Sequence, residues 1–166
     1  MEKRSLRAND CKQENIIKYS DMVYRLAFAR SGTRFDADEI YQETFLRYIN
    51  SDKVFESEEH LKAWLIKVTL NCSKKLMFSP WRRKIQPLDE SVVFEEGKDY
   101  ELYDSLMKLS PKYREVIHLF YYEDMPIEQI GKVLGRKAST VRTQLTRARE
   151  QLKSILEKDE GGENIC

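Results

Sequence analysis

Cysteine, proline and glycine are all scarce in this chain of 166 residues, with three, four and six copies respectively. So few glycines and prolines disfavour a turn-rich β architecture. The cysteines, Cys11, Cys72 and Cys166, lie far apart, and an odd number without C-x-x-C spacing suits neither a disulfide framework nor a zinc site. They read as reduced thiols. His60 and His118 have no paired Cys or His nearby, so no metal and no cofactor are expected. No stretch approaches the roughly 18 consecutive apolar residues of a membrane span. The opening MEKRSLRANDCKQEN lacks the apolar core of a signal peptide, and a cytoplasmic location without membrane insertion is expected. A G-x-S-x-G elbow, a Walker loop and a G-x-G-x-x-G fingerprint are also missing, so the chain reads as a non-enzyme.

Charge of one sign does not dominate either, since 29 Lys and Arg stand against 28 Asp and Glu. Its distribution is uneven. From Arg136 to Lys153 the cations Arg136, Lys137, Arg142, Arg147, Arg149 and Lys153 face only Glu150. Lys74, Lys75, Arg82, Arg83 and Lys84 likewise have no acid among them, whereas Asp89, Glu90, Glu95, Glu96, Asp99, Glu101 and Asp104 crowd around Lys98. Two cationic clusters bracket an anionic tether, which favours phosphate contact.

What the chain has in quantity is helical periodicity. Between Glu14 and Arg30 the residues Ile16, Ile17, Tyr19, Val23, Leu26 and Ala27 recur at three and four. Asp36, with Glu39 three residues on, is expected to cap a second helix with Ile40, Tyr41, Phe45, Tyr48 and Ile49 inward. After the polar SDKVFES, a third helix carries Leu61, Trp64, Leu65, Val68, Cys72 and Leu76 as its core stripe. Residues 79 to 100 hold Pro80, Pro87 and Gly97 and no stripe, as a linker would. Fully extended, that segment spans roughly 70 Å at ~3.3 Å per residue, comparable with about 20 base pairs of B-DNA.

Four short helices are expected beyond it. Leu102, Leu106 and Leu109 mark the first, and Ser110 with Pro111 opens a second that turns Tyr113, Val116, Ile117, Phe120 and Tyr121 inward. Pro126 begins a third, which Gly135 ends. The last runs from about Ala138 to Glu157 and buries Val141, Leu145, Ala148, Leu152 and Leu156. The expected fold class is all-α: a helical bundle over 1–79, a flexible acidic linker over 80–99, a helical domain over 100–158 and a disordered tail over 159–166.

The final helix pair, joined by a Gly-containing turn, makes a helix-turn-helix whose second helix can enter a major groove. On its outer side lie Ser139, Arg142, Thr143 and Arg147, hydroxyls and forked guanidiniums suited to base edges and phosphates, with Arg142 the best-placed base reader.

LSPKYREVIHLFYYEDMPIEQIGKVLGRKASTVRTQLTRAREQL resembles region 4 of a sigma-70 family factor, while DADEIYQETFLRYI and HLKAWLIKVTLNCSKKL resemble region 2. The short linker in place of region 3 is similar to that of the extracytoplasmic-function (ECF) group. The resemblance implies a sigma factor that binds core RNA polymerase and directs initiation at promoters, touching both duplex DNA and the melted non-template strand, held in check by an anti-sigma factor. By position it assigns core polymerase binding to Asp38, Glu39, Gln42, Glu43, Phe45 and Arg47. It gives the minus-10 element to Lys67, Asn71, Lys74 and Lys75 and to a base-capturing loop, Asp52 to Glu59, that includes Phe55. The minus-35 element falls to Lys137, Ser139, Thr140, Arg142, Thr143 and Arg147, and Arg136 is expected to attract phosphate. Trp81 and Phe78 receive no role. No dimer seam is visible, so the free factor is expected to be a monomer. A stand-alone helix-turn-helix regulator and a helical protein-interaction module remain the alternative classes.

Overall fold

The computed structural model describes the backbone of residues 2–79 and 104–162 and the side chains of 11–79 and 104–161; the linker, Trp81 and Cys166 lie outside them. Among the described residues there is helix and no strand. The chain divides into two units, Met1–Pro87 and Leu88–Cys166, each with its own core.

In the first unit α1 (Glu2–Ser31), α2 (Arg34–Asn50) and α3 (Glu58–Met77) pack against one another. Val23, Leu26, Ile40, Leu65 and Ile66 are essentially sealed from solvent, and burying each such side chain contributes about 1.5–3 kcal/mol. Thr44 and Thr69 sit in the same interior because each hydroxyl donates to the carbonyl one turn back, Ile40 at 2.8 Å and Leu65 at 2.7 Å. The first helix begins about twelve residues before the periodic stripe does, because nothing between Glu2 and Glu14 breaks a helix even though it lacks a core-facing pattern. Ile17 proves 71% exposed. The second helix is capped one turn earlier than expected: Thr33 Oγ1 accepts from the Asp36 backbone N–H and donates to Asp36 Oδ2 at 2.8 Å. Ser57 caps the third helix through the His60 N–H. Cys11 is exposed and Cys72 buried, both unbridged, and burial pushes the Cys72 thiol up.

In the second unit a helical turn over 104–107 precedes α4 (Pro111–Ile117), α5 (Ile127–Leu134) and α6 (Ala138–Gly162). Ser110 and Pro111 open α4 as expected. Leu109, Tyr113, Ile117 and Ala148 form one buried cluster, with Leu106, Leu152 and Ile155 against it. Residues His118–Tyr122 continue α4 as a wider π-helical turn. The extra residue in that turn shifts the register of everything after it, and Tyr121, expected inward, is 52% exposed. The last helix runs on to Gly162, so residues 159–162 are helical rather than a disordered tail. Asp159 there pairs with Lys108 at 3.1 Å.

Two glycines shape the turn between α5 and α6. Gly135 has φ +66°, the left-handed conformation that ends α5. Gly131, inside α5, lets the turn pass overhead: a Cβ there would lie 2.6 Å from the Arg136 carbonyl oxygen. Gly135→Ala should therefore cost about 1 kcal/mol, the conformational penalty alone. Gly131→Ala should lower the thermal midpoint of this unit by clearly more, since backbone must move; equal midpoints in calorimetry would contradict that packing.

Candidate nucleic-acid interface

The apolar seam of α3 determines which of its side chains can meet a ligand. With Leu61, Leu65, Val68 and Cys72 committed to the core, Lys67, Asn71, Lys74 and Lys75 are left exposed on the other side. Among the described residues none of the three lysines is held in an ion pair. The loop before α3 is partly built in. Phe55 is half-buried, edge-on to Trp64 at 5.4 Å and to His60 at 5.3 Å, with Tyr48 6.2 Å away. It is thus a packed residue with one side toward solvent, beside Val54 at 84% exposure. Phe78 ends α3 with 74% exposure.

On α2 the expected docking face requires one correction. Asp38, Glu39, Gln42 and Glu43 are exposed, but Phe45 is 5% exposed and stacks edge-on against Tyr41 at 4.9 Å, so it belongs to the core. The apolar members of the exposed face are instead Phe35, Leu46 and Ile49, which share helical spacing with Asp38 and Gln42. Glu43 accepts from Arg47 Nε at 2.9 Å one turn on, so these two neutralise each other locally. Burial, and then the Asp38 carboxylate, push the Tyr24 phenol up.

In the second unit α6 buries Val141, Leu145 and Ala148 and thereby exposes Ser139, Thr140, Arg142, Thr143 and Arg147 together. Lys137, also exposed, supplies the carbonyl that accepts from the Val141 N–H at the first turn. A shallow concavity of about 280 Å³ lies between this helix and the start of α4, lined by Lys112, Tyr113, Ser139, Thr140, Thr143, Gln144 and Arg147. Its lining has two cations, four hydroxyls and no acid. Lys112 escapes notice in the sequence because it is 35 positions from Arg147, the other cation of the lining, although the Ser110–Pro111 start of its helix places it on the first turn.

The cations of this unit are not equivalent. Arg142 leans on Glu128 of α5 at 3.3 Å, both side chains more than half exposed, a pairing worth at most about 1 kcal/mol and easily exchanged for a base or phosphate. Arg149 is held by the Tyr121 hydroxyl at 2.6 Å and over the rings of Phe120 and Tyr121. Arg136, expected to attract phosphate, is engaged within the unit. Its guanidinium pairs with Glu115, 1% exposed, and donates to Gln144 at 3.0 Å. It ties the turn to α4 and α6.

Two helical units, each presenting an exposed polar and cationic face, one of them a helix-turn-helix, define a nucleic-acid-binding protein. Residues 16–83 match the family description Sigma-70 region 2, and residues 99–152 match Sigma-70, region 4. The chain is 30% identical over 158 residues to the ECF RNA polymerase sigma factor SigE of Mycolicibacterium smegmatis, covering 87% of this chain and 61% of that protein. It is 28% identical over 152 residues to the RNA polymerase sigma factor SigV of Bacillus subtilis, covering 87% and 90%. In fold it is similar to the sigma factor RpoE solved with the anti-sigma factor NepR from Bartonella quintana, with TM-score 0.72, 22% identity and coverage of 89% and 97%. CnrH, solved with the cytosolic domain of CnrY, gives TM-score 0.66 at 22% identity, over 91% and 90%. The chain belongs to the sigma-70 family, in its extracytoplasmic-function group.

Arg136→Ala should test the structural assignment of that residue. Removing the guanidinium from a buried carboxylate should cost about 3 kcal/mol of stability, read as a lower unfolding midpoint. The salt dependence of DNA binding at a temperature where the variant is folded should be unchanged; a shallower salt slope would restore Arg136 to the phosphate contacts.

Proposed function

We propose that this chain binds core RNA polymerase and directs it to promoters, with its second unit reading the minus-35 duplex and its first trapping the opened minus-10 strand. The observation that carries this reading is the occurrence of both sigma-70 regions, in order, on two helical units that each keep a cationic face outside the core. It works by differential binding in place of bond chemistry, in the cytoplasm. Among the described residues no helix is long and apolar enough to cross a membrane.

Arg142 is the base reader of this scheme, with Ser139, Thr140, Thr143, Lys137 and Arg147 around it and Lys112 added to its phosphate contacts. Lys67, Asn71, Lys74 and Lys75 follow the backbone of the unwound strand, and Phe55 borders the pocket for a flipped base. Bases become available to the first unit only after melting, so its binding favours strand separation. The exposed α2 face, Asp38, Glu39, Gln42 and Glu43 with Phe35, Leu46 and Ile49, grips the polymerase, with Arg47 at its margin. An anti-sigma factor would cover the same exposed faces while the factor is idle, and the free factor is a monomer. A stand-alone regulator would bind its operator without polymerase, and an interaction module would show no salt-dependent DNA affinity.

Adding the purified chain to core enzyme should yield transcripts from specific start sites; association without redirected initiation would refute the reading. Arg142→Ala should relax minus-35 preference by about 1–3 kcal/mol, whereas Lys74→Ala should weaken binding without changing which sequence wins. Equal losses on all promoters in both variants would contradict that division. Asp38→Lys with Glu43→Lys, or Leu46→Asp alone, should abolish co-purification with polymerase while the unfolding midpoint stays within a few degrees. Phe45→Ala, by contrast, should cost about 3–5 kcal/mol of stability.

A further inference from the structure

Lys12, Asn15 and Lys18 stand at intervals of three along α1, and all three reach toward the loop that joins α2 to α3. Lys12 Nζ donates to the carbonyl oxygens of Ile49 and Ser51, each at 2.9 Å. Asn15 Nδ2 donates to the Tyr48 hydroxyl at 3.0 Å. Lys18 pairs at 2.6 Å with Glu58, the first residue of α3. One helix therefore holds both the departure point of the loop and its return. The carbonyls at the end of α2 have no partner within their own helix and carry its negative dipole end, so a lysine ammonium is a fitting anchor there. Between the anchors, Phe55 rests on Trp64 and Tyr48, and Ser51 Oγ accepts from the Lys53 N–H at 3.2 Å. Six residues of helix from Lys12 to Lys18 rise about 9 Å, which fixes the distance between the two anchors.

We propose that Lys12 and Lys18 are positioning residues for strand capture: α1 holds the loop from Ser51 to Ser57 open in the free protein, so that it accepts an unstacked base without having to order as it binds. This rests on the reading of that loop as the base-capturing segment. Neither lysine touches DNA in this role, since Lys12 directs its hydrogens at two carbonyls and Lys18 at a carboxylate.

The test uses holoenzyme assembled from this chain and core polymerase, with a fork DNA whose single-stranded overhang carries the minus-10 sequence of a promoter mapped for this factor. All four bases are placed in turn at the flipped position. Lys12→Met should weaken binding to the preferred fork about tenfold and flatten the preference among the four bases. Affinity for core enzyme, affinity for a blunt minus-35 duplex and the thermal midpoint should all stay unchanged. Lys12→Arg, which can still donate to both carbonyls, should restore the preference. A general structural role would instead lower the midpoint and core affinity together. Unchanged fork affinity in Lys12→Met, an equal loss on the blunt duplex, or no rescue by Lys12→Arg would overturn the proposal while leaving base capture by the loop in place. If wild-type holoenzyme shows no preference among the four bases, and Phe55→Ala changes nothing, the loop is not the capture segment and the role of α1 falls with it.

Discussion

Burial of one apolar seam in each of α3 and α6 is the constraint on which the rest of this molecule depends. In the second unit α4 is covered all round, with Tyr113, Arg114, Glu115, Val116 and Ile117 all buried, but α3 and α6 each surrender a stripe to the core of their unit and keep the opposite face free. In α3 the seam of Leu61, Leu65, Val68 and Cys72 leaves Lys67, Asn71, Lys74 and Lys75 outside, and in α6 Val141, Leu145 and Ala148 do the same for Ser139, Arg142 and Arg147. Ligand-facing residues follow from core-facing ones by helical geometry. A one-residue register change in either seam would turn the cations away.

That dependence explains how much was legible without coordinates. Long, strongly periodic helices were, together with the faces opposite them, and so were the local signals of Ser110–Pro111 and Gly135. Periodicity puts Phe45 inward, where it lies, and only its position in the family resemblance puts it on the docking face; Ile49, on the same apolar stripe, is 48% exposed because the stripe runs past the end of the core. The other misreadings share a physical origin in events that periodicity does not encode. Tyr121 turns outward because it lies within a π turn, which breaks the 3.6-residue count. The internal engagement of Arg136 is invisible in the sequence because its partner, Glu115, is 21 residues distant. Lys12 and Lys18 gave no sign at all, since a lysine reaching a carbonyl or a carboxylate some 40 positions away looks in sequence like any solvated lysine.

Near-neutral net charge conceals a division of labour among the cations. Some are consumed internally: Arg136 by Glu115 and Gln144, Arg149 by the Tyr121 hydroxyl and two aromatic faces, Lys12 by backbone carbonyls. Others, such as Lys112 and Arg147 around the polar concavity and Lys67, Lys74 and Lys75 on α3, remain available to an anion. Affinity for phosphate should track the second group alone, so counting positive residues overstates how strongly the molecule is drawn to DNA.

The clasp between Glu115 and Arg136 also bears on how such a chain can change over generations. A neutral residue at 136 would take a cationic partner from a buried anion, and a neutral residue at 115 would take the carboxylate from a largely covered cation, so each single step passes through a weakened protein. The two sites are thus expected to drift as a couple, or to stay put until a third group, such as a longer cationic side chain at position 144, takes over as counterion.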